Sequence, residues 1–373
     1  MNYSYSKAGV NVDKVKGIQK GIAGLLNSTL TPDVLLGAGH YAGLLKFGGK
    51  TLALHTDGVG SKVLIAQQLG KYDTVGIDAI AMNVNDLICL GARPVAAVDY
   101  LAVEKTNGHM IYEIMKGVSA GAMESKCAVV GGETAVVPDL IRGIAGRGFD
   151  LSVTCIGEIE GGVITGKDMQ AGDVIIGLES SGIHSNGYTL ARKVLLKSTE
   201  KGHAAHGAAV KGVNSQSNSG NGYASSDLKP VPKGKSPLRD ILEEMLVPTK
   251  IYSNAVMDVL RNSNVHGLAH ITGGAFSKLQ RIGAYAKKGF LLSNMPGPKP
   301  IFQKIQNMGK IPDKEMYRTF NMGIGFCIVC PKSEADGIVS ICSRHNIGSQ
   351  LVGHISDKRG VFLRKGGNMI NLS

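Results

Sequence analysis

Short apolar segments alternate with longer amphipathic segments along this chain, in two series that a polar link separates. The first series predicts strands near 51–56, 95–103, 127–131 and 150–159, with helices over 61–70, 75–90 and 109–125. A second series begins with the strand DVIIGLES and ends with the helix SEADGIVSICSRH. The link ITGKDMQAGD, 164–173, is the natural boundary between them. We therefore expect an α/β (α+β) protein with domains at 1–166 and 167–373.

The composition excludes some classes of protein and leaves others open. At 373 residues the chain exceeds the size at which a single core usually stops growing. Its 41 Lys and Arg against 29 Asp and Glu give a net charge of +12, which suits nucleic acid, an acidic membrane surface or a phosphorylated small molecule. An aromatic content of 5%, the lack of Trp and the lack of a recognisable recognition helix argue against nucleic acid.

The sequence also indicates a location. No segment has the long apolar run of a membrane span, and the N-terminus has neither the apolar core nor the cleavage site of a signal peptide. Most of the six cysteines lie inside apolar runs such as FCIVCP, which is typical of buried thiols in a reducing compartment. Cys327 and Cys330 match C-x2-C, but no second pair follows at zinc spacing. We expect a cytoplasmic protein with no membrane partner.

The composition changes abruptly at about 201–237, where Gly, Ser, Asn, Ala and Lys replace the apolar residues. A segment with so little to bury cannot offset the entropy lost on ordering. It is therefore interpreted as a low-complexity, disordered insertion in the C-terminal domain. The alternative is a basic tether for a partner.

The stretch HTDGVGSK, 55–62, resembles a phosphate loop but does not match the P-loop template. That template needs a longer loop and a lysine before the hydroxyl residue. Asp57 ends an apolar strand, and Gly58 and Gly60 allow a ligand to approach the backbone closely. Mg²⁺ usually takes one or two protein carboxylates together with phosphate oxygens, so a metal role fits Asp57. An aspartate that stabilises its own turn is the alternative.

The helix GIDAIAMNVNDLICLGA carries polar residues among apolar ones. Asp78 and Asn85 are seven positions apart, about 20° from alignment, and Asp86 lies about 80° round from Asp78. Polar residues in so apolar a helix need partners. A metal and phosphate site would supply them. A helix cap or a buried hydrogen-bond network would supply them equally well.

Two further stretches of the first half carry candidate residues. Glu133, in VVGGETAVVPD, is a third acid that follows an apolar run. The glycine-rich segment LLGAGHYAGLLKF contains Gly37 and Gly39, which add flexible backbone that could close over phosphates. His40 within it is interpreted as a positioning or surface residue rather than a catalyst. Three acids in one half of the chain favour a nucleotide site with a divalent metal.

The second half repeats a different pattern. LESSGIHSNGYTLARKVL and AHITGGAFSKLQRI both predict a strand, a glycine-containing loop and a helix. Helix N-termini opened by glycine present unpaired N–H groups, which stabilise an exposed anion by about 0.3–1 kcal/mol. Two such loops suit a phosphorylated substrate. Ordinary helix caps are the alternative for each loop.

At this point the motifs carry a resemblance. SYSKAGVNVD, TDGVGSK, GIDAIAMNVNDL, GGETA, SSGIHSNGY, ITGGAF and EMYRTFNMGIG occur in the order seen in the phosphoribosylformylglycinamidine cyclo-ligase family, also called aminoimidazole ribonucleotide synthetases. The resemblance covers the whole chain apart from the insertion. It implies ATP-dependent closure of an imidazole ring in purine biosynthesis, after phosphorylation of a formyl oxygen. It also implies an N-terminal domain whose strands form a barrel across a homodimer, and a C-terminal α/β domain.

The resemblance further implies roles for individual residues. The metal, as Mg²⁺, and ATP are assigned to Asp57, Asp78, Asn85 and Asp86. Glu133 is a weaker fifth ligand, and the glycines at the ATP site are Gly37, Gly39, Gly58 and Gly60. Formylglycinamidine ribonucleotide, the phosphorylated substrate, is assigned to Ser181, His184, Ser185, Asn186, Gly187, Tyr188, Thr272, Gly273, Gly274, Arg318 and Asn321. The candidates for catalysis are Asp57, Lys62 for phosphate charge, and His184, with His270 as a second candidate for proton transfer.

Two departures from the family pattern keep other interpretations open. Val136 stands where the family commonly carries an acid, and Ala275 where a third glycine is usual. Val136 leaves a catalytically inactive nucleotide-binding relative as an alternative. Formylglycinamidine ribonucleotide synthetase would have a glutaminase-like extension, which this chain lacks. A selenophosphate synthetase would have a reactive cysteine near the N-terminus, whereas the first cysteine here is Cys89.

Overall fold

The computed structural model describes residues 12–203 and 228–373. Residues 4–11, which carry most of the motif SYSKAGVNVD, lie outside this range, and so do residues 204–227 of the expected insertion. Within the described part of the chain, no helix is long and apolar enough to cross a membrane.

The first half of the chain forms one sheet with helices packed on it. Its elements in chain order are α1 (Val12–Leu26), β1 (Val34–Leu36), β2 (Gly43–Phe47), β3 (Lys50–Gly58), α2 (Val63–Leu69), α3 (Val75–Ile88), β4 (Ala92–Val103), α4 (Gly108–Ser125), β5 (Ala128–Val136) and β6 (Phe149–Ile159). The strand order is β1-β2-β3-β6-β4-β5. Only the β4–β5 pair is parallel among these strands.

The second half forms a second sheet. Its elements are β7 (Val174–Glu179), α5 (Tyr188–His203), α6 (Pro237–Leu246), α7 (Ser253–Asn262), β8 (Gly267–His270), α8 (Leu279–Ala286), β9 (Gly289–Leu292), α9 (Pro300–Gly309), α10 (Asp313–Thr319), β10 (Ile324–Cys330), α11 (Ala335–Arg344), β11 (Ser349–Ser356), β12 (Gly360–Lys365) and β13 (Asn368–Asn371). The strand order is β13-β12-β9-β11-β7-β10-β8. The expected α/β fold of two sheet-containing halves is confirmed. The proposed boundary at 166/167 falls in the link between β6 and β7 and stays a prediction.

Helix α3 is the central element of the first half. Nearly all its residues are buried, and it packs against α4 and the sheet. A Cβ atom on Gly76 would lie 2.2 Å from the backbone nitrogen of Val118, so only glycine allows α3 and α4 to approach this closely. This packing fixes the direction in which the polar side chains of α3 point.

Two segments differ from the sequence-based expectation. The glycine-rich stretch 35–47, expected as flexible backbone, contains β2 and part of β1, because Tyr41 and Leu44 are buried in the core. Residues 228–237, assigned to the insertion, contact the body of the protein. Val231 donates its backbone N–H to the Gln68 carbonyl at 2.9 Å, and Leu228 packs against the core. The low apolar content of this stretch predicted disorder and gave no indication of these contacts.

Candidate active site

The end of strand β3 lies beside helix α3. The side-chain amide of Asn83 donates to the Asp57 carbonyl at 3.2 Å and to the Ala79 carbonyl at 2.8 Å. Its oxygen therefore faces His55 Nδ1, 2.9 Å away, and accepts a hydrogen bond from it. His55 Nε2 lies 3.3 Å from Asp86 Oδ2. The strand end that carries Asp57 is thus fastened to the helix that carries Asp86.

Asp86 is the better defined of the two carboxylates. It is buried, and its Oδ1 accepts a hydrogen bond from His270 Nδ1 at 2.7 Å. Burial by itself raises the pKa of Asp86, but the hydrogen bond from His270 and the positive charge of Lys278 lower the pKa to about 2. Asp86 therefore remains ionised at neutral pH.

Asp57 is only partly buried and faces the same region. Its Oδ1 accepts the backbone N–H of Gly58 at 2.8 Å. Burial raises the pKa of Asp57, and the negative charge of Asp86 raises it further, while the Gly58 N–H and Lys278 act in the opposite direction. The charge on Asp86 therefore disfavours the ionised form of Asp57, and a cation bound at this pair would offset that effect.

The structure places Lys62 and Asp78 elsewhere. The Lys62 ammonium lies 2.9 Å from Asp78 Oδ1 and 2.8 Å from Oδ2, and both side chains are fully buried. Lys62 also donates to the carbonyls of His184 at 3.1 Å and Val247 at 2.7 Å, while Asp78 accepts the N–H and hydroxyl of Thr249, each at 2.7 Å. These groups join the two halves of the chain, so in this arrangement neither Lys62 nor Asp78 faces a ligand.

Asn85 continues the same connection. Its amide nitrogen donates to the Lys250 carbonyl at 2.9 Å, and its oxygen accepts the Tyr252 N–H at 2.9 Å. The polar edge predicted on α3 is therefore divided. Asp78 and Asn85 form a buried hydrogen-bond network with residues 247–252, and Asp86 alone turns towards Asp57. We name residues 247–252 the joining segment.

The register of the sheet separates Glu133 from the carboxylate pair. Gly58 pairs with Ser152, Ser152 with Tyr100, and Tyr100 with Glu133. Three steps of about 4.8 Å therefore lie between β3 and β5, so Glu133 is about 14 Å from the strand end that carries Asp57. One metal ion within this chain cannot contact both Asp57 and Glu133, because Mg²⁺ binds its ligands at about 2.1 Å.

The loop SSGIHSNG between β7 and α5 is held from several sides. Asn321 accepts a hydrogen bond from the Ser180 hydroxyl at 2.9 Å and donates to the Gly182 carbonyl at 2.8 Å. The Ser181 N–H donates to His184 Nε2 at 3.2 Å, so the proton of this imidazole lies on Nδ1. Burial, followed by nearby positive charges, lowers the pKa of His184 well below its usual range. His184 is thus a neutral, buried residue with φ 65° that shapes the loop.

Other predicted substrate residues divide between the loop and the core. Ser185 and Thr249 hydroxyls are 3.2 Å apart, and the Asn186 amide lies 3.9 Å from Met82 Sδ. Gly187 has φ 79°, which favours glycine. Tyr188 is buried, with its hydroxyl bonded to the Met245 carbonyl, so it belongs to the core. Arg318 lies in the last turn of α10.

The loop Thr272–Gly274 lies next to the carboxylate pair. It forms a tight turn in which the Ala275 N–H donates to the Thr272 carbonyl at 2.6 Å, and Gly274 has φ 86°. The Lys278 ammonium donates to the Thr272 hydroxyl. The loop is therefore fixed by its own side chains, despite the alanine at 275, which itself has φ 42°.

The loop between β1 and β2 approaches the same region. Gly39 has φ 133°, and the buried residues His40 and Tyr41 follow it. The Arg281 guanidinium lies 5.4 Å from the centre of the Tyr41 ring and donates to the His40 carbonyl at 3.4 Å. The loop that contains Gly37 and Gly39 thus contacts α8 of the other half.

Sequence reasoning missed three features of this site: His55, Lys278 and the joining segment. Lys278 follows the second glycine loop by about one helical turn, which is a signal that could have been used. The partners of the joining segment lie about 170 residues away in sequence, and no local pattern reports them. Within the described ranges, no group of three or more His, Cys, Asp or Glu residues is arranged to hold a metal ion by itself.

The fold defines the general class of this protein. It resembles a solved ThiL complexed with AMPPCP and TMP, with a TM-score of 0.62 and 16% sequence identity over 94% of each chain. Two family models also match, AIR synthase related protein, N-terminal domain, over residues 39–159 and AIR synthase related protein, C-terminal domain, over residues 170–366. The chain belongs to the AIR synthase related family.

Curated relatives agree with this assignment. A phosphoribosylformylglycinamidine cyclo-ligase from Methanocaldococcus jannaschii is 42% identical over 95% of this chain and 92% of its own. The same name is given to a relative from Methanococcus maripaludis strain C6, also 42% identical over 95% of this chain and 92% of its own. The similarity therefore extends over nearly the whole length of both proteins.

Proposed function

We propose that this protein is the enzyme that closes the imidazole ring of 5-aminoimidazole ribonucleotide from formylglycinamidine ribonucleotide, with conversion of ATP to ADP and phosphate, in de novo purine biosynthesis. The full-length similarity to cyclo-ligases supports the reaction. The observation that carries the site is the pair Asp57 and Asp86 at the end of β3, where Asp86 also contacts His270, which precedes the loop Thr272–Gly274 of the other half. We assign ATP to residues 1–166 and the substrate to residues 167–373.

The donor set fits Mg²⁺. Asp86 is ionised, and burial and the negative charge of Asp86 raise the pKa of Asp57, so a bound cation would favour the ionised form of Asp57. Mg²⁺ prefers one or two carboxylates with phosphate oxygens and water completing its shell, which explains why no third acid is needed. Asp57 and Asp86 would hold the ion. Bound Mg²⁺ would neutralise the charge on the phosphoryl group during its transfer.

The protein residues mainly position groups in this mechanism. His270 donates to Asp86 Oδ1 and thereby fixes the orientation of this carboxylate, and Asn83 fixes the β3 end. In the reaction, the formyl oxygen attacks the terminal phosphorus of ATP, and the bond to the bridging oxygen of ADP breaks. The amidine nitrogen then attacks the activated carbon, and the formyl oxygen leaves within inorganic phosphate. Holding the two substrates in line supplies much of the rate enhancement.

The phosphate of the substrate is assigned to the loop before α5. Gly187 opens this helix, and Asn321 holds the preceding residues, so backbone N–H groups at the helix start can face an anion. Thr272 to Gly274 form the second wall. His184 is retained as a residue that shapes the loop, and Lys62, Asp78 and Asn85 are assigned to joining the two halves.

Tracing of the formyl oxygen tests the proposed reaction. Substrate carrying ¹⁸O in the formyl group is incubated with ATP, Mg²⁺ and the full chain, and phosphate is analysed by mass spectrometry. We expect one ADP for each aminoimidazole formed, with the label in inorganic phosphate. Label released into water, or ATP consumption without imidazole formation, would contradict the proposal.

The exposed side of the first sheet supports a homodimer. Every residue of edge strand β5 except Ala135 is exposed, and Val98 and Tyr100 of β4 are 43% and 49% exposed. Apolar strands with this exposure need a cover, and closing the sheet across a two-fold axis would supply it. We also propose the cytoplasm as the location, since all six cysteines, each in the described part of the chain, are buried free thiols.

A further inference from the structure

Lys278 contacts two loops of the candidate site, although it does not belong to either glycine motif. It ends the 3-10 turn Ala275–Lys278, and its ammonium donates to the Thr272 hydroxyl. The same nitrogen lies 5.8 Å from the centre of the Tyr41 ring. Lys278 thereby links the second glycine loop to Tyr41, in the loop that contains Gly37 and Gly39.

The charge of Lys278 is not used in an ion pair. Among residues 12–203 and 228–373, no carboxylate oxygen lies within 4.0 Å of its ammonium. Its charge nevertheless acts on both Asp57 and Asp86 and lowers the pKa of each. Burial in turn lowers the pKa of Lys278, while the two carboxylates raise it. The ammonium is therefore held by a neutral hydroxyl and an aromatic face, close to the carboxylates but bound to neither.

Such a group is suited to binding an anion that arrives at the carboxylate pair. Lys62, the lysine first considered for phosphate charge, already has three acceptors in the joining contact. Arg281, the other cation near Tyr41, donates to the His40 carbonyl. Lys278 is thus a cation whose hydrogens can turn from Thr272 to a phosphoryl oxygen without breaking an ion pair within the described part of the chain.

We propose that Lys278 is a catalytic residue that contacts the phosphoryl group as it passes from ATP to the formyl oxygen. The proposal rests on the proposed function. Lys278 keeps its proton throughout: the new phosphorus–oxygen bond forms to the formyl oxygen, the bond to the bridging oxygen of ADP breaks, and the ammonium donates hydrogen bonds to the equatorial oxygens. Thr272 holds the ammonium in place before the nucleotide binds.

Substitution of Lys278 tests this role. In Lys278→Met we expect kcat to fall by roughly 10²- to 10³-fold, with the KM of formylglycinamidine ribonucleotide nearly unchanged, because Lys278 contacts the γ-phosphoryl group of the bound nucleotide rather than this substrate and holds that group more strongly in the transition state. Lys278→Arg, which keeps the charge, is expected to recover most of this loss. Lys287→Met removes an exposed charge at the other end of α8 and should leave both constants unchanged.

A second measurement does not depend on turnover. The phosphorus NMR spectrum of a bound, non-hydrolysable ATP analogue with Mg²⁺ is compared between wild type and Lys278→Met. We expect the γ resonance to shift and the α resonance to stay. Bound analogue with an unmoved γ resonance, or wild-type kcat in Lys278→Met, would overturn the role of Lys278. If the wild-type chain formed no imidazole product, the proposed function itself would fail.

Discussion

Asp57 and Asp86 show how two like residues acquire different properties from their surroundings. Asp86 receives a hydrogen bond from His270 and remains ionised, whereas the pKa of Asp57 is raised. The pair therefore carries negative charge that a bound metal ion would neutralise. A metal ion that binds here should draw the pKa of Asp57 down, because it favours the ionised form.

The Asp57→Asn variant tests the metal role of this residue. Asparagine keeps the shape and the hydrogen bond to the Gly58 N–H but removes the charge. We expect a melting temperature close to that of wild type, loss of most MgATP affinity in calorimetric titration, and a fall in turnover of roughly 10³-fold or more.

Asp150→Asn is the matched control for this variant. Asp150 accepts the N–H of its own following residue, Leu151, at 3.0 Å, as Asp57 does with Gly58, but it is exposed on β6. Its substitution should change neither binding nor turnover. If Asp57→Asn kept wild-type MgATP affinity and wild-type turnover, Asp57 would only stabilise its own turn and would not bind the metal.

His40 gives the protein a defined pH dependence of stability. Burial lowers the pKa of His40 from 6.5 to about 4, although its hydrogen bond to the Thr165 carbonyl acts in the opposite direction. The unfolded chain therefore binds this proton at higher pH than the folded chain does. The free energy of unfolding should fall as the pH drops from about 6.5 to about 4, by at most about 1.4 kcal/mol per pH unit from this residue.

Urea denaturation at several pH values measures this effect. In His40→Gln we expect the slope of stability against pH between 4 and 6.5 to decrease by close to one proton. The exposed residue His354 is the control, and His354→Gln should leave the slope as it is. An unchanged slope in His40→Gln would show that His40 does not titrate as described.

At the residue scale, the sequence predicts the polar edge of α3 but not its division. Helical geometry places Asp78, Asn85 and Asp86 near one another, which the structure bears out. Whether each residue meets a ligand or a backbone group depends on the joining segment, which is far away in sequence. Lys62 is misleading for the same reason, since its partners are carbonyl groups of the other half.

At the scale of elements, the contact between α3 and α4 depends on glycine. Gly76→Ala would bring a methyl group to 2.2 Å from the Val118 nitrogen and 2.4 Å from the Ile114 carbonyl oxygen. The two helices would have to separate, and the polar edge of α3 would move with them. We expect a loss of about 2 kcal/mol or more in the free energy of unfolding, measured by chemical denaturation.

The control lies at the start of α4. A Cβ atom on Gly108 would have no heavy atom within 4 Å, so Gly108→Ala should leave stability unchanged or raise it slightly. If Gly76→Ala proved as stable as Gly108→Ala, the close packing of α3 on α4 would not be the feature that fixes the direction of Asp78, Asn85 and Asp86.

The elements that the sequence predicts well are those with a clear hydrophobic period. Strands such as β4 and β6 and the helices α3 and α4 agree with the prediction within a few residues. Strands β1 and β2 lie in a glycine-rich stretch and are too short for the alternation of apolar and polar residues to be recognised. The Pro, Lys and Gly content of residues 228–237 predicted disorder, although the Val231 N–H donates to the Gln68 carbonyl.

At the scale of the whole molecule, the exposed strands predict association. Val130 on β5 is 68% exposed, and a lysine there would have to be desolvated if two copies pack through this sheet. We expect sedimentation velocity to show a dimer for wild type and a dissociation constant at least roughly tenfold higher for Val130→Lys.

Met369→Lys serves as the matched control for association. Met369 is 51% exposed on β13, at the edge of the other sheet. The Met369→Lys variant is expected to remain a dimer. Dissociation of Met369→Lys but not of Val130→Lys would place the interface on the second sheet, and a monomeric wild type would refute the dimer.

The joining segment has a consequence for any attempt to express the two halves of this chain separately. Helix α3 packs on the first sheet, yet two of its four polar side chains, Asp78 and Asn85, have hydrogen-bond partners in residues 247–252 of the second half. An N-terminal fragment expressed without the second half would leave Asp78, Asn85 and the Lys62 ammonium without their partners in that half. These three side chains, buried in the full chain, would then be exposed to solvent. The two family segments are therefore separable in an alignment but act as one unit when the chain folds.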